Sequence, residues 1–396
     1  MMSTPKINVL CLVSSLGIGG AEKHTVSMAN LLDPHTFEVH LGYLKPFEAL
    51  LSQIREELAP RTFCLHVCKR IDRAAVSRLR EFINSHEIDV IVATNEYPAL
   101  YALMAQRGAR RIPKLIEVFH TTQYLRFKSK LQMLLYRPAF QHCDLLVYVS
   151  EKQREYWRSK GLVGKRDIVI HNGVDLEHFR DRTESSQRET LRAECGFSVN
   201  DLLIGICAAL RPEKAHGDLL LALARLRERG IAAKVLIVGD GPERSAIEKK
   251  IAALNLSPCV FITGFKEDVR PYLAICDVIV LASHAIETFS IAALEAMAMG
   301  KPLVLTRIGG AEEQVIAGKN GFLYEPGDIE TLSDKLVALQ SESTRKRMGM
   351  ASRERVEALF SEGQMIEQFE RQIQALVRRQ ETHPAATRLT PPASGD

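Results

Sequence analysis

Nowhere does the chain approach the roughly 20 consecutive apolar residues of a membrane-spanning helix, although 46% of its 396 residues are hydrophobic. It contains no Asp-x-Asp pair, so no carboxylate-held metal is expected. Of its eight cysteines only Cys64 and Cys68 are closely spaced, and no second pair stands at zinc-binding spacing. Most of the others fall inside apolar, strand-like runs. They read as buried free thiols in a reducing compartment, which points to the cytoplasm. The opening MMSTPKINVLCLVSSLGIGG lacks the unbroken apolar stretch of a secretory signal and leads into a glycine loop, so it is read as a first strand. There is no solenoid repeat, and the only compositional bias is the Pro-rich polar tail over 381–396, expected to be disordered.

What is present is a steady alternation of continuous apolar runs with helical patterns. INVLCLVSSL, FEVHLGYL, DVIVATN, KLIEVFH, DLLVYVS and DIVIHNG are separated by segments such as VSRLREFINSH. Continuous apolar strands suit a parallel sheet covered on both faces. The rhythm pauses at a polar stretch near 177–198 and restarts with LLIGICAAL, KVLIVGDG, VFITGF, VIVLAS and PLVLT. The expected fold is therefore α/β with two successive Rossmann-like, doubly wound domains, at 1–176 and 199–360, joined by a linker at 177–198. The net charge of +4 is uneven. Residues 1–180 hold 25 Lys and Arg against 18 Asp and Glu, and the remainder 27 against 30. The first half is the candidate for meeting an acidic partner, with ordinary solvated surface charge as the alternative; no nucleic-acid partner is expected.

Open parallel sheets bind ligands beyond the carboxyl ends of their strands, and the unusual residues fall there. In SLGIGGAE, Gly19 and Gly20 allow close backbone approach at a helix N-terminus, although a tight turn explains them equally well. Glu22 stands where a dinucleotide fingerprint needs its third glycine. His120 follows an apolar strand, a place where a histidine is either structural or functional. Arg211 and Lys214, three apart, can converge on an anion from a turn or simply face solvent. Gly239 and Gly241 mark another strand-to-helix turn. Gly264 and Phe265 mark a third, where Phe265 can line a flat pocket. In ETFSIAALE (287–295) two glutamates bracket an apolar helix start. Eight residues of helix separate them by roughly 12 Å, which excludes a close acid/base couple. The first helix amides, at Thr288, Phe289, Ser290 and Ile291, lie between them and favour an anion. A ligand with an anionic middle and hydroxyl-rich ends fits, as a nucleoside diphosphate sugar does.

Taken in order, Gly19-Gly20-Ala21-Glu22, His171-Asn172-Gly173-Val174-Asp175, Arg211/Lys214, Gly239-Asp240-Gly241-Pro242, Gly264-Phe265 and Glu287-x7-Glu295 followed by Ala-Met-Ala-x-Gly-x-Pro resemble the retaining GT-B glycosyltransferases of family 4 over residues 6–380. The resemblance implies a retaining, metal-independent hexosyltransferase with no cofactor. Its donor, a UDP- or GDP-sugar, would be held by the second domain and its saccharide or lipid-linked acceptor by the first. It implies that Glu287 bonds the donor sugar and Glu295 the ribose, and that amides at Phe289, Ser290 and Ile291 meet the phosphates. Arg211 and Lys214 would neutralise the departing diphosphate beside Gly19 and Gly20. His120 would lie near the reacting sugar, Gly264-Phe265 would flank the base, and a helix over 361–380 would cross back to the first domain. Polysaccharide, lipopolysaccharide or glycolipid assembly is the expected setting. The chain departs from the family at Thr288 and Ser290, where glycines are common, and at Ala209, where an arginine is common; Thr288 resists positive φ, and Thr288 or Ser290 can cap the helix. The segment 123–140, basic and bulky, suggests a contact with an anionic membrane at the inner face of the cytoplasmic membrane, with ordinary packing as the alternative. Rival readings are a nucleotide-sugar epimerase of the same architecture and a non-catalytic nucleotide-sugar-binding protein.

Overall fold

In the computed structural model, which describes residues 5–122 and 127–382, the apolar runs form thirteen strands in two wholly parallel sheets. The first contains β1 (Ile7–Val13), β2 (Phe37–Tyr43), β3 (Thr62–Cys64), β4 (Val90–Thr94), β5 (Lys114–Phe119), β6 (Leu145–Tyr148) and β7 (Asp167–Val169), in the order β3-β2-β1-β4-β5-β6-β7. The second contains β8 (Leu202–Cys207), β9 (Ala233–Val238), β10 (Val260–Ile262), β11 (Val278–Leu281), β12 (Leu303–Thr306) and β13 (Gly321–Tyr324), in the order β10-β9-β8-β11-β12-β13. Central strands such as β4, β6, β8 and β11 are buried along their whole length, as strands with helices on both faces must be. In each sheet the order reverses beside the first strand of the half, between β1 and β4 and between β8 and β11. That switch point is where such folds open a ligand crevice.

Residues 177–198 contain the helix Ser185–Glu194, closed at its start by a reciprocal capping pair of Glu184 and Gln187. The last described helix, Glu362–Thr382, packs on the first half: Phe369 lies edge-on to His24 at 5.5 Å, and Glu370 accepts from the Asp33 amide at 2.8 Å. Two stretches of chain pass between the halves side by side. Val174 donates to the Phe360 carbonyl at 3.0 Å and accepts from the Glu362 amide at 3.0 Å. Gly173 permits this closeness, because a Cβ there would stand 2.6 Å from the Cα of Glu362. Among the described residues no helix is long and apolar enough to cross a membrane. The tail expected to be disordered falls almost wholly outside the described residues. So do 123–126 and half of the side chains of the helix Phe127–His142, which the membrane-contact expectation for 123–140 invoked.

Candidate active site

The loop Ser283–Ser290 follows β11 and enters the helix Ile291–Ala298, whose start is capped by Ser290 Oγ accepting from the Ala293 amide at 3.3 Å. Of the two residues expected to compete for that role, Ser290 takes it. Thr288 is used differently: its hydroxyl donates to the His120 carbonyl at 2.6 Å and meets the Thr122 hydroxyl at 2.6 Å, joining the two halves. Its φ is not positive, so the loop is shaped without the glycine conformation. Behind the loop stands Gly309 with φ +51, where a Cβ would overlap the Glu287 carbonyl. Gly310 donates its amide to the Thr288 carbonyl at 2.7 Å, Asn172 donates to the Phe289 carbonyl at 3.0 Å, and Gln314 donates to that of Ser290 at 2.8 Å. The loop's carbonyls are thus tied down from behind, which fixes the direction of its amides.

Glu287 is drawn toward Lys214: Lys214 Nζ donates to Glu287 Oε2 at 2.6 Å, and Ser283 Oγ donates to the same oxygen at 3.3 Å. Lys214 ends the short turn Pro212–Lys214, which the following residue, Ala215, leaves with φ +47. Arg211 is exposed at the start of this turn. The structure does not bring Arg211 and Lys214 onto one partner: Lys214 turns to Glu287, while Arg211 acts on Glu22 across the cleft. Burial raises the pKa of the Glu22 carboxyl, opposed by a hydrogen bond to its own backbone and by the charge of Arg211.

Gly20 lies against the second half, and Gly19 against its own helix start. A Cβ on Gly20 would stand 3.5 Å from Ile291 Cδ1, and one on Gly19 would overlap the Glu22 carboxylate. From the same helix start, Lys23 reaches Glu295 at 3.8 Å. Glu295 is 8% exposed. Burial holds its pKa above the usual carboxylate value, and Lys23 offsets this only in part. Gly264 has φ +73, and its carbonyl accepts from the Gly239 amide at 3.1 Å, so these two glycine turns brace each other. Beside them Phe265 is 57% exposed, open to a flat ligand.

His120 is positioned by Asn95, which has φ +69 and whose Oδ1 accepts from the His120 amide at 2.8 Å. The His120 ring packs edge-on to His24 at 4.9 Å. Neither ring nitrogen of His24, nor Nε2 of His120, has a hydrogen-bond partner among the described residues. Burial pushes the His24 pKa down to about 4 and that of His120 well below its ordinary value, so both rings are neutral at pH 7. Sequence reasoning passed over His24, although its place one helical turn after Gly20 was a signal. It also passed over Thr122, Ser283 and the pair His171–Glu313 (2.7 Å), whose Glu313 further accepts from the Glu151 and Lys152 amides. Only the fold juxtaposes these residues.

Residues 187–355 match the family of glycosyl transferases group 1, and residues 18–178 match Glycosyltransferase Family 4. Among curated relatives, the chain is 27% identical to N-acetyl-alpha-D-glucosaminyl L-malate synthase of Bacillus anthracis, over 76% of this chain and 78% of that one. It is likewise 27% identical to the putative glycosyltransferase EpsD of Bacillus subtilis, over 85% and 93%. Among solved structures it resembles Anabaena Alr3699/HepE in complex with UDP, with a TM-score of 0.82, 23% identity and coverage of 93% and 100%. The two sheets, their facing loops and these matches make the fold GT-B, and the chain belongs to the group 1, family 4-type glycosyltransferases.

Proposed function

We propose that the protein is a retaining glycosyltransferase that moves a sugar from a nucleoside diphosphate sugar to a hydroxyl of a saccharide or lipid-linked acceptor. The observation that carries this reading is the Lys214–Glu287 pair at 2.6 Å, set at the entrance of the braced 287–291 turn and opposite Gly19 and Gly20. The donor diphosphate would lie over the amides of Phe289, Ser290 and Ile291, where a helix N-terminus favours an anion. Lys214 would shift from Glu287 to the phosphate, freeing the Glu287 carboxylate to accept hydrogen bonds from the sugar. Arg211 would approach the diphosphate from the other side. Glu295, partly neutralised by Lys23, suits the ribose hydroxyls; Phe265 and Gly264 suit the base.

The acceptor oxygen would bond to the anomeric carbon on the face from which the diphosphate leaves. The carbon–oxygen bond to phosphate breaks, and the departing phosphate takes the acceptor proton. Fixed cations and amides stabilise the charge that develops on the leaving group. His120, neutral and held by Asn95, would contact the reacting sugar.

HepE's complex with UDP supports a uridine nucleotide, and L-malate in one relative's name supports an acceptor outside the nucleotide sugars. The names of other similar proteins, a capsular polysaccharide biosynthesis glycosyltransferase and a phosphatidylinositol monomannoside mannosyltransferase among them, support polysaccharide, lipopolysaccharide or glycolipid assembly. Eight free cysteines, six of them buried, support a cytoplasmic site of action, with the membrane's inner face as the place where a lipid-linked acceptor would be met. The test is a thermal-shift screen of UDP-, GDP- and ADP-sugars, followed by NMR of the product anomer and repetition in EDTA. Retained anomeric configuration and EDTA-insensitive turnover are expected. An inverted product, or an epimerised donor formed without acceptor, would overturn the reading.

A further inference from the structure

The carboxyl ends of β1 to β4 carry a second set of residues that donor binding leaves unused. After β2, Lys45 lies over the Tyr97 ring at 5.8 Å. After β3, Lys69 and Arg70 present their carbonyls to the Tyr97 hydroxyl, which donates to Arg70 at 3.1 Å and more weakly to Lys69 at 3.4 Å. Tyr97 stands in the first turn after β4, so it holds the Lys45 side chain and the backbone of Lys69 and Arg70, and three exposed cationic residues from two loops share this edge.

The same loops hold exposed apolar residues: Ile18 at 55%, Phe47 at 64% and Ile71 at 56%. They form one surface. Leu16 donates to the Phe47 carbonyl at 2.7 Å, Lys45 to that of Ser14 at 3.0 Å, and Val67 to that of Leu44 at 2.7 Å. The flanking carboxylates are otherwise engaged. Glu48 accepts from the Tyr43 hydroxyl at 2.6 Å, and Asp72 accepts from the Ala74, Ala75 and Cys68 amides as it caps the next helix. Lys45, Lys69 and Arg70 have no carboxylate partner among the described residues. Scattered exposed apolar residues are unremarkable, whereas several gathered beside unpaired cations mark a binding surface.

We infer that Lys45, Lys69 and Arg70, with Ile18, Phe47 and Ile71, form an acceptor subsite for an amphiphile in which a phosphate or diphosphate joins an apolar chain to the sugar that is extended. This rests on the proposed transferase reading and deepens it. The cations take the phosphate oxygens, with Arg70 able to grip two at once. The apolar side chains cover the first part of the chain, and the sugar beyond the phosphate points along the cleft toward His120.

The test uses the full-length protein with UDP saturating the donor site, so that the probe's diphosphate cannot occupy it. Calorimetry compares farnesyl diphosphate, farnesol, inorganic diphosphate and L-malate in the wild type and in Lys45→Gln/Lys69→Gln/Arg70→Gln. Farnesyl diphosphate should bind at least about tenfold more tightly than the other three probes, and the triple variant should lose at least about tenfold of that affinity, as charge-assisted contacts of this number predict. UDP affinity should change less than about twofold, since the cations lie outside the donor site. Equal binding of farnesyl diphosphate and inorganic diphosphate, tighter binding of L-malate, or undiminished binding by the triple variant would overturn the inference while leaving the donor reading intact. Failure of the wild type to bind UDP would instead overturn the transferase reading on which it rests.

Discussion

The two halves share one strand order around their switch points, yet they close the ends of their strands differently. In the second half three of the turns at the strand ends rely on glycines with positive φ, Gly239 after β9, Gly264 after β10 and Gly309 after β12, with Ala215 after β8 as the exception. In the first half the corresponding conformations fall to side-chain-bearing residues, Asn95 after β4 and His66 after β3. There the loops are closed by side chains such as Asn95 on His120 and Tyr97 on residues 69 and 70. Glycine turns bring backbone amides up to a ligand, and an invariant anionic portion can be held that way. Side-chain loops can change their chemistry without changing the turn. On the proposed reading, the second half would hold what a donor always contains, and the first would discriminate among acceptors.

The sharpest way to break this contrast is to remove a strong side-chain pair of the second half. Lys214→Ala and Glu287→Ala should each lower kcat by at least about 100-fold, because each removes preorganised charge from the transition state. Their melting temperatures should stay near wild type; a pair at least 20% exposed in both side chains contributes little to stability. Turnover within a few fold of wild type in either variant would remove these roles.

Backbone conformation comes next. Gly309→Ala should destabilise the protein by more than about 1 kcal/mol in chemical denaturation, since φ +51 strains alanine and its Cβ would overlap the Glu287 carbonyl. UDP binding should weaken with it. An unaffected UDP affinity would show that the 287–291 turn does not depend on this brace.

Thr288→Val removes the hydroxyl that ties the donor loop to His120 and Thr122. It should cost about 1 kcal/mol of stability, with a larger effect on kcat than on donor KM. Equal effects on both would mean that the link does not align the two halves.

Buried histidines set the pH response. His24 has its folded pKa lowered to about 4, so below the unfolded value near 6.5 the unfolded chain binds the proton that the native chain refuses. Stability is therefore full above that value and falls as pH drops from about 6.5 toward 4. His24→Phe should flatten that fall in a melting-temperature series; an unchanged slope would assign it to His40, His120 and His216, which are lowered likewise. The smallest effect is expected at Ala215, whose φ of +47 glycine adopts without strain. Ala215→Gly should raise stability by up to about 1 kcal/mol, and a loss would show that the turn is held by packing.

The sheets were legible because buried parallel strands are written as unbroken apolar runs, such as VIVAT and LLIGIC. The helix carrying Glu295 was legible from its apolar run up to Gly300, whereas Glu287 lies in the loop before it, where helix spacing does not apply. The relation of Arg211 to Lys214 was not: three residues of separation allow convergence, but the turn Pro212–Lys214 and the left-handed Ala215 send them to different halves of the cleft. Thr288 against His120 joins positions 168 apart, and nothing local distinguishes such a threonine from one in solvent. Asn172 and Gly173 could be picked out as a motif, but their purposes, a hydrogen bond to the Phe289 carbonyl and room for Glu362, exist only once the chain has crossed twice.

That double crossing has a mechanical consequence. Both passages between the halves run through one spot, with Val174 laced to Phe360 and Glu362, and therefore behave as the two leaves of one pin joint. Rotation of one half against the other would pivot about this pin and strain the ties of Thr288 to His120 and Thr122, while sliding would tear the lacing itself. The final helix, anchored on His24 and Asp33, travels with the first half as a lever fixed to its own side of the joint.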